Sequence, residues 1–474
     1  MEESRKKTIR TWIDSQRESL ILDLIKLVDL ESVSQPEPSK EKFAPFGEGC
    51  QKALHAMLER GSSMGLSSIS YEDYLGSISL DGEERRKPSK VIGIWSHLDV
   101  VPAGEGWQYH PFESVYEDGL VIGRGAQDNK SAAVMGLYLL KGIKEMGISL
   151  RHPAALYLGC SEECGMQDLD YFLSHYQAPG VSLIADCGFP VCYGEKGSMT
   201  VTIRTGRKSL LSNVEVEAGV AHNIIPGTAK IRFEISKEKY SFEAEGVSGH
   251  SAFPEGSVNA LCVLLGKMME FPMLPEEEKN TLRPLWKFTE TTDGSVAGIS
   301  KKDSLLGDLT CCGTMLTFEK GTWCLNLDIR YPNSADPDEI LRRITAIAEA
   351  QGCLAEQKSH LRAFGLTPEN PIIRKLTEVY NQETKENTAA YSMAGGTYAA
   401  KLPRAIPFGI AFSDKNRITR KFPKGHGDYH QPDEAVIVDQ ILDALYIYMI
   451  GILELDRLLT EYEKNEVNIW ETTV

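Results

Sequence analysis

The chain has 474 residues, 42% of them hydrophobic and 25% charged, which is too long for one hydrophobic core and too rich in apolar residues for a disordered or fibrous chain. Its 51 basic residues stand against 67 acidic ones, a net charge of −16. That balance lacks the positive field needed to hold nucleic acid or an anionic membrane, so neither is expected as a partner.

From the N-terminus, residues 1–28 carry charges throughout and read as an amphipathic helix rather than a signal peptide. A cytoplasmic location is therefore expected, with the ten cysteines as free thiols, since none forms a CxxC pair. The segment GEERRKPSK at 82–90 reads as a solvated hairpin tip. Up to about residue 190, short β-branched runs alternate with helical stretches, the pattern of an α/β domain with a mostly parallel sheet. Strands are predicted at Val91 to Trp95, Ala154 to Leu158 and Val181 to Ala185, and a helix at Ser131 to Lys144.

Each of these strands finishes at residues able to carry chemistry. The first runs into His97 and Asp99, which are two apart and so share a face of an extended segment, a spacing that suits a metal ligand and its orienting partner. Asp128 precedes the predicted helix, Glu162 and Glu163 follow the second strand, and Asp186 follows the third. Adjacent glutamates point apart, so one can bind metal while the other faces a substrate water. Taken singly, each of these is also an ordinary helix cap or solvated turn.

After Gly197 the texture changes. Alternating strands (199–204, 229–236, 240–249 and 322–332) are interrupted by helical stretches at 257–271 and 336–350, which reads as an inserted α+β domain. Helical texture returns near Leu366. Residues 414–428 are polar and basic and read as a mobile surface loop. His426 and His430 follow in GHGDYHQPDE, while His55, His152, His175 and His360 lie in settings that suggest the surface. The run from Ala444 to Leu453 is about half the roughly 20 residues a membrane span needs, so it belongs to a buried helix.

Together, two histidines and four carboxylates at successive strand ends, with a further glutamate free to act as base, point to a two-metal hydrolase site. No GxSxG elbow occurs, and GRGAQD fails the dinucleotide fingerprint at its third glycine.

The series SHLDVVPAGEGW, GRGAQDNK, SEE, ADCGFP and HQPDE resembles the cocatalytic metallopeptidases that include aminoacylases, carboxypeptidase G and succinyl-diaminopimelate desuccinylase. Within that family GEKG (194–197), GDLT (307–310), NLDIRYP (326–332) and AGGTYAAKLP (394–403) resemble bacterial dipeptidase V and Sapep. The resemblance implies a discontinuous catalytic domain, 1–196 and 366–474, whose mostly parallel mixed sheet is flanked by helices. It also implies an inserted α+β lid with an antiparallel sheet at 197–365.

It further implies two divalent metal ions, zinc first with manganese or cobalt as alternatives. Asp128 would bridge them, with His97 and Asp186 on one, and Glu163 and His430 on the other. Glu162 would be the general base for a metal-bridging water, and Asp99 would accept a hydrogen bond from the His97 ring. From the lid, His250 would stabilise the oxyanion, while Asn223, Arg330, Gly395, Gly396 and Thr397 would hold the substrate's C-terminal end. A cis peptide after Asp128 is implied as well. The chain departs from the family at Asn129, Ser131, Cys160 and Cys164, none of them an expected ligand. The expected activity is that of a metallo-dipeptidase acting on short peptides with a free C-terminal carboxylate, as a monomer, with N-acyl amino acid deacylation as the alternative.

Overall fold

A computed structural model describes residues 3–35, 44–80 and 87–470. The chain divides into two compact units, the first made of residues 1–193, 366–391 and 397–474, the second of 194–365 and 392–396.

The first unit opens with helices α1 (Glu3–Val28) and α2 (Glu48–Ser63), followed by β1 (Ser67–Tyr71), β2 (Leu75–Ser79) and β3 (Ile92–His97). Two short strands, β4 (Val115–Glu117) and β5 (Leu120–Ile122), lead to α3 (Lys130–Glu145), β6 (Ala154–Gly159), α4 (Gln167–His175) and β7 (Val181–Ile184). The main sheet has the order β1-β2-β6-β3-β7, completed by Ala405–Pro407 beside β7. β6, β3, β7 and Ala405–Pro407 are mutually parallel, whereas β2 runs antiparallel to both β6 and β1.

Every residue of β3 is buried, as a central parallel strand covered on both faces requires. Ile92 and Ile94 join the core formed with α1, α3 and the C-terminal helix Val438–Lys464. Trp95, the next residue, turns to the opposite face, where it meets Tyr157, Phe172 and Tyr398. Because 13 of the 16 residues of α3 are buried, this helix is the axle of the unit and holds its N-terminus, next to Asp128, in a fixed place.

In the second unit, Thr310–Glu319, Thr322–Tyr331, Gly197–Thr205 and Cys353–Leu361 form a four-stranded antiparallel sheet in that order. Ser212–Ala218, Thr228–Ile235 and Glu238–Glu245 form a second antiparallel sheet. Helices Ala260–Glu270, Glu276–Thr289 and Pro337–Ala350 contribute Leu261, Leu264, Leu285 and Ile344 to this unit's own core. Residues 194–196 and 392–396 group with this unit. Phe364 and Gly365 pair with Glu195 and Gly194, and the Lys196 N–H donates to the Met393 carbonyl.

Three local expectations change. The segment 82–90 does not close a hairpin, because β2 pairs with β6 instead of β3; residues 81–86 lie outside the described residues, and 88–90 form a 3-10 turn. Residues 414–428 are anchored by the helix Asn416–Lys421, which buries Ile418, and by Phe422 beyond it, against Leu120, Ile122 and Ile437. His152 is buried between Asp456 and Glu463, at 2.9 and 2.8 Å, because two acidic partners on the C-terminal helix compensate its burial. No disulfide joins the cysteines of the described residues, and among those residues no helix is long and apolar enough to cross a membrane.

Candidate active site

At the carboxyl end of β3 the ring of His97 is fully buried. Its Nδ1–H donates to the main-chain carbonyl of Asp99 at 2.9 Å, which leaves Nε2 as the outward atom, 3.0 Å from Asp128 Oδ1 and 3.7 Å from Asp186 Oδ2. The carboxylate of Asp99 stands 3.5 Å from the ring and has another principal task. It accepts the N–H groups of Glu162 and Glu163 at 3.1 and 3.0 Å and the Ser34 hydroxyl at 3.0 Å. Asp99 thus orients His97 chiefly through its carbonyl, and uses its charge to hold the turn that carries the two glutamates.

Asp128 is held by its main chain. Buried Glu434 accepts the N–H groups of Gln127 and Asp128 on Oε1, at 2.9 and 3.0 Å, and pairs with Arg124 through Oε2 at 2.6 Å. The guanidinium of Arg124 lies over the Trp107 ring. The Asp128–Asn129 peptide is cis. Asn129 donates Nδ2 to the Ala185 carbonyl and to Asp186 Oδ1, both at 2.9 Å, and accepts the Ser96 hydroxyl on Oδ1. A carboxylate there would face a carbonyl and another carboxylate with no proton to offer, so the amide ties the ends of β3 and β7 together.

His430 sits at positive φ in the loop before Ala435 and points Nε2 at Glu163 Oε1, 2.9 Å away, and at Asp128 Oδ2, 3.3 Å away. His426 turns elsewhere, to Asp433 at 2.7 Å. The two oxygens of Asp128 therefore face two different imidazoles. Burial works to raise the Asp128 carboxyl, but hydrogen bonds from His430 and His97 outweigh it and hold the group far below its ordinary range. The same bonds to Asp128 and Glu163 raise His430 to about 10. Glu162 behaves in the opposite way. Its burial, reinforced by Asp186, pushes its carboxyl well above the usual value despite the nearby His97.

One donor atom each from His97, Glu162 and Asp186 lies within 4.8 Å of the others, and the same holds for His97, Asp128 and Glu163. Imidazole nitrogens and carboxylates that share protons in this way form the donor set a divalent cation takes over when it displaces those protons. The residues fit a metal centre on this ground. Glu162 groups with possible ligands as well as standing next to them.

Below the glutamate turn, buried Asp168 accepts the N–H groups of Cys160 and Ser161, at 2.8 and 3.0 Å, and the Tyr398 hydroxyl. Gly159 makes room for this arrangement, since a Cβ there would stand 1.8 Å from the Tyr398 oxygen and 2.4 Å from Asp168. Gly159→Ala is expected to destabilise the protein by about 1–3 kcal/mol or more, read as a lower thermal midpoint. An unchanged midpoint would show that Tyr398 can withdraw at no cost. Asp168, Tyr398, Arg124, Asn129 and Glu434 escape a reading of local pattern, because their partners lie up to 310 residues away. The one available signal is that Glu434 closes HQPDE and Arg124 lies within GRGAQD.

The remaining expected residues lie mainly in the second unit. Ser251 links them: its N–H and hydroxyl donate to the Asn223 carbonyl, both at 3.0 Å, and its hydroxyl also reaches Asp328. Asp328 accepts Arg330 Nε at 3.0 Å, and Arg330 Nη1 donates to the Ala394 carbonyl at 3.1 Å. His250 is exposed, with Nδ1 accepting the Ala252 N–H. Partial desolvation of the ring, and then Arg330, lower its pKa. Gly395 borders open space, and Gly396 leaves no room for a Cβ, which would meet Leu361 at 2.2 Å. Thr397, in the first unit, is buried and caps a 3-10 turn by accepting the Ala399 N–H.

Comparison with known proteins agrees with this picture. The Bacillus subtilis (strain 168) protein YtjP is 26% identical over 475 residues, covering 93% of this chain and 98% of its own. The Beta-Ala-Xaa dipeptidase of Lactobacillus delbrueckii subsp. lactis is 24% identical over 476 residues, with coverage of 94% and 97%. Among solved structures, the di-peptidase Dug1p from Saccharomyces cerevisiae shares the fold, with a TM-score of 0.60 at 13% identity, over 95% of this chain and 98% of that one. The model of peptidase family M20/M25/M40 matches residues 93–453, a span that contains His97, Asp128, Glu162, Glu163, Asp186 and His430, and the chain belongs to that family.

Proposed function

We propose that the protein is a metal-dependent dipeptidase that hydrolyses short peptides with a free C-terminal carboxylate. The observation that carries this reading is the convergence of His97, His430, Glu162, Glu163 and Asp186 around Asp128, in a peptidase-family chain aligned over nearly its full length with a relative named as a dipeptidase. In this reading the first unit is catalytic and the second is its lid.

His97, Asp128 and Asp186 would hold one divalent cation, and Asp128, Glu163 and His430 a second, with zinc the first expectation and manganese or cobalt the alternatives. Such ions supply Lewis acidity to the scissile carbonyl and lower the pKa of water. Glu162 takes the proton from the attacking water and passes it to the leaving amine. Its carboxylate groups with His97 and Asp186, beside the expected cation site where that water would be held. His250 offers Nε2 to the developing oxyanion, since Nδ1 is already engaged by Ala252.

Arg330, fixed by Asp328 and Ala394, presents its remaining donors to the substrate's terminal carboxylate. Asn223, tied to Asp328 through Ser251, and the main chain of Gly395 and Gly396 would contact the same end of the peptide. Thr397 supports that end from beneath as a cap. In this reading the working unit is a monomer.

The test is a mass-spectrometric panel of free dipeptides and N-acetyl amino acids, with metal restored to stripped protein. Cleavage of free dipeptides in preference to acylated amino acids is expected. Cleavage of the acylated compounds alone would replace this reading with a deacylase acting through the same residues.

A further inference from the structure

The second unit contains a pocket of about 460 Å³ whose walls include Lys196, Phe253, Glu255, Asp308, Thr310 and Ala394. The GEKG, GDLT and AGGT segments thus meet at one place. Lys196 and Thr310 are only 7% and 6% exposed. The ammonium of Lys196 donates to the main-chain carbonyl of Asp308 at 2.6 Å, and among the described residues it forms no ion pair. The Asp308 carboxylate is turned to Lys302, 2.5 Å away. Glu255 is exposed, so solvent screens its charge. The Thr310 hydroxyl is buried without a hydrogen-bond partner.

An ammonium has three donors, and a buried cation without a counter-ion is costly, as is a buried hydroxyl without a partner. A carboxylate entering the pocket satisfies both. Burial already weighs against the charge on Lys196, the cost such an anion would relieve.

The pocket adjoins Arg330. Thr310 and Arg330 are directly paired across neighbouring strands, which places their side chains on one face of the sheet. Ala394, whose carbonyl Arg330 engages, is part of the wall.

We infer that this pocket is a carboxylate-binding site with Lys196 as its counter-ion and Thr310 as a hydrogen-bond donor, and that it selects peptides ending in Asp or Glu. The selection rests on the dipeptidase reading, in which Arg330 takes the α-carboxylate and the neighbouring pocket receives the C-terminal side chain. The carboxylate site itself stands without that reading.

The test compares wild type with Lys196→Met, Lys196→Arg and Thr310→Val on Ala-Glu, Ala-Gln and Ala-Ala. Lys196→Met is expected to raise the KM for Ala-Glu by about tenfold, the effect of one charge-assisted hydrogen bond, with kcat nearly unchanged. Ala-Gln and Ala-Ala should shift by less than about twofold, Lys196→Arg should recover most of the loss, and Thr310→Val should show a smaller loss in the same direction. A tenfold rise for all three substrates would still support the carboxylate site, with the α-carboxylate as its occupant. Unchanged KM values for all three in both Lys196→Met and Thr310→Val would overturn it.

Binding of free L-glutamate and L-glutamine, followed by NMR titration, keeps the two readings separate. Should wild type cleave no dipeptide, glutamate binding that weakens about tenfold in Lys196→Met supports the pocket alone. Equal binding by the two proteins removes the pocket as well. Melting curves of the variants exclude loss of fold as the cause, and Thr310→Val serves if Lys196→Met does not fold.

Discussion

Glu162→Gln is expected to lower kcat for a free dipeptide by about 10²–10⁴-fold, the usual contribution of a positioned general base, while KM and bound metal stay close to wild type. The substitution is nearly isosteric, and the turn is held through the Glu162 N–H on Asp99, which the change leaves intact. What disappears is the ability to take up and return a proton. Glu162 also lies in a donor group with His97 and Asp186, so metal content decides between two roles. A variant that loses activity together with its metal would make Glu162 a ligand, and a fully active variant would remove it from the chemistry.

Asp128→Asn should have a still broader effect. Its two oxygens face different imidazoles, at 3.0 and 3.3 Å, and an amide keeps only one acceptor oxygen and opposes the other imidazole with an N–H₂ group. Losing an outer partner of a metal ligand costs about 10–100-fold in affinity, and a ligand shared between two cations is expected to exceed that, with activity falling at least as far. The main chain at 128 should not move, because Glu434 holds its N–H. Metal analysis after dialysis, beside the kinetics, checks this. Retained metal and activity would mean that His97 and His430 serve without a bridge.

The strand ends were readable because chemistry and pattern coincide there. The apolar runs into His97, Glu162 and Asp186 mark β3, β6 and β7, and parallel strands bring their carboxyl ends to one edge. The antiparallel texture of the second unit was equally plain from period-two runs such as 322–332. Contacts made over long sequence distances were not readable. Nothing local to Glu434 says that it holds the main chain at 128, and nothing near Asp168 announces Tyr398, 230 residues on. Asp99 shows a finer limit: its spacing from His97 suggests a carboxylate on the ring, yet the carbonyl is nearer and the carboxylate serves the glutamate turn.

Composition misled in two places. The basic stretch 414–428 looks like a loose loop, but Ile418 and Phe422 are spaced to reach one small apolar cluster. His152 looks like a surface residue until Asp456 and Glu463 arrive from the C-terminal helix. In both cases the deciding partner comes from a remote part of the chain.

The central claim is that paired cations on the residues around Asp128 make this chain a dipeptidase. Metal-stripped protein should be titrated with zinc, and separately with manganese and cobalt, while release of amino acids from a free dipeptide is followed. The account predicts no cleavage without metal and full activity only as the second equivalent binds. Cleavage by fully stripped protein, or none at any metal loading with the ions bound, would contradict it.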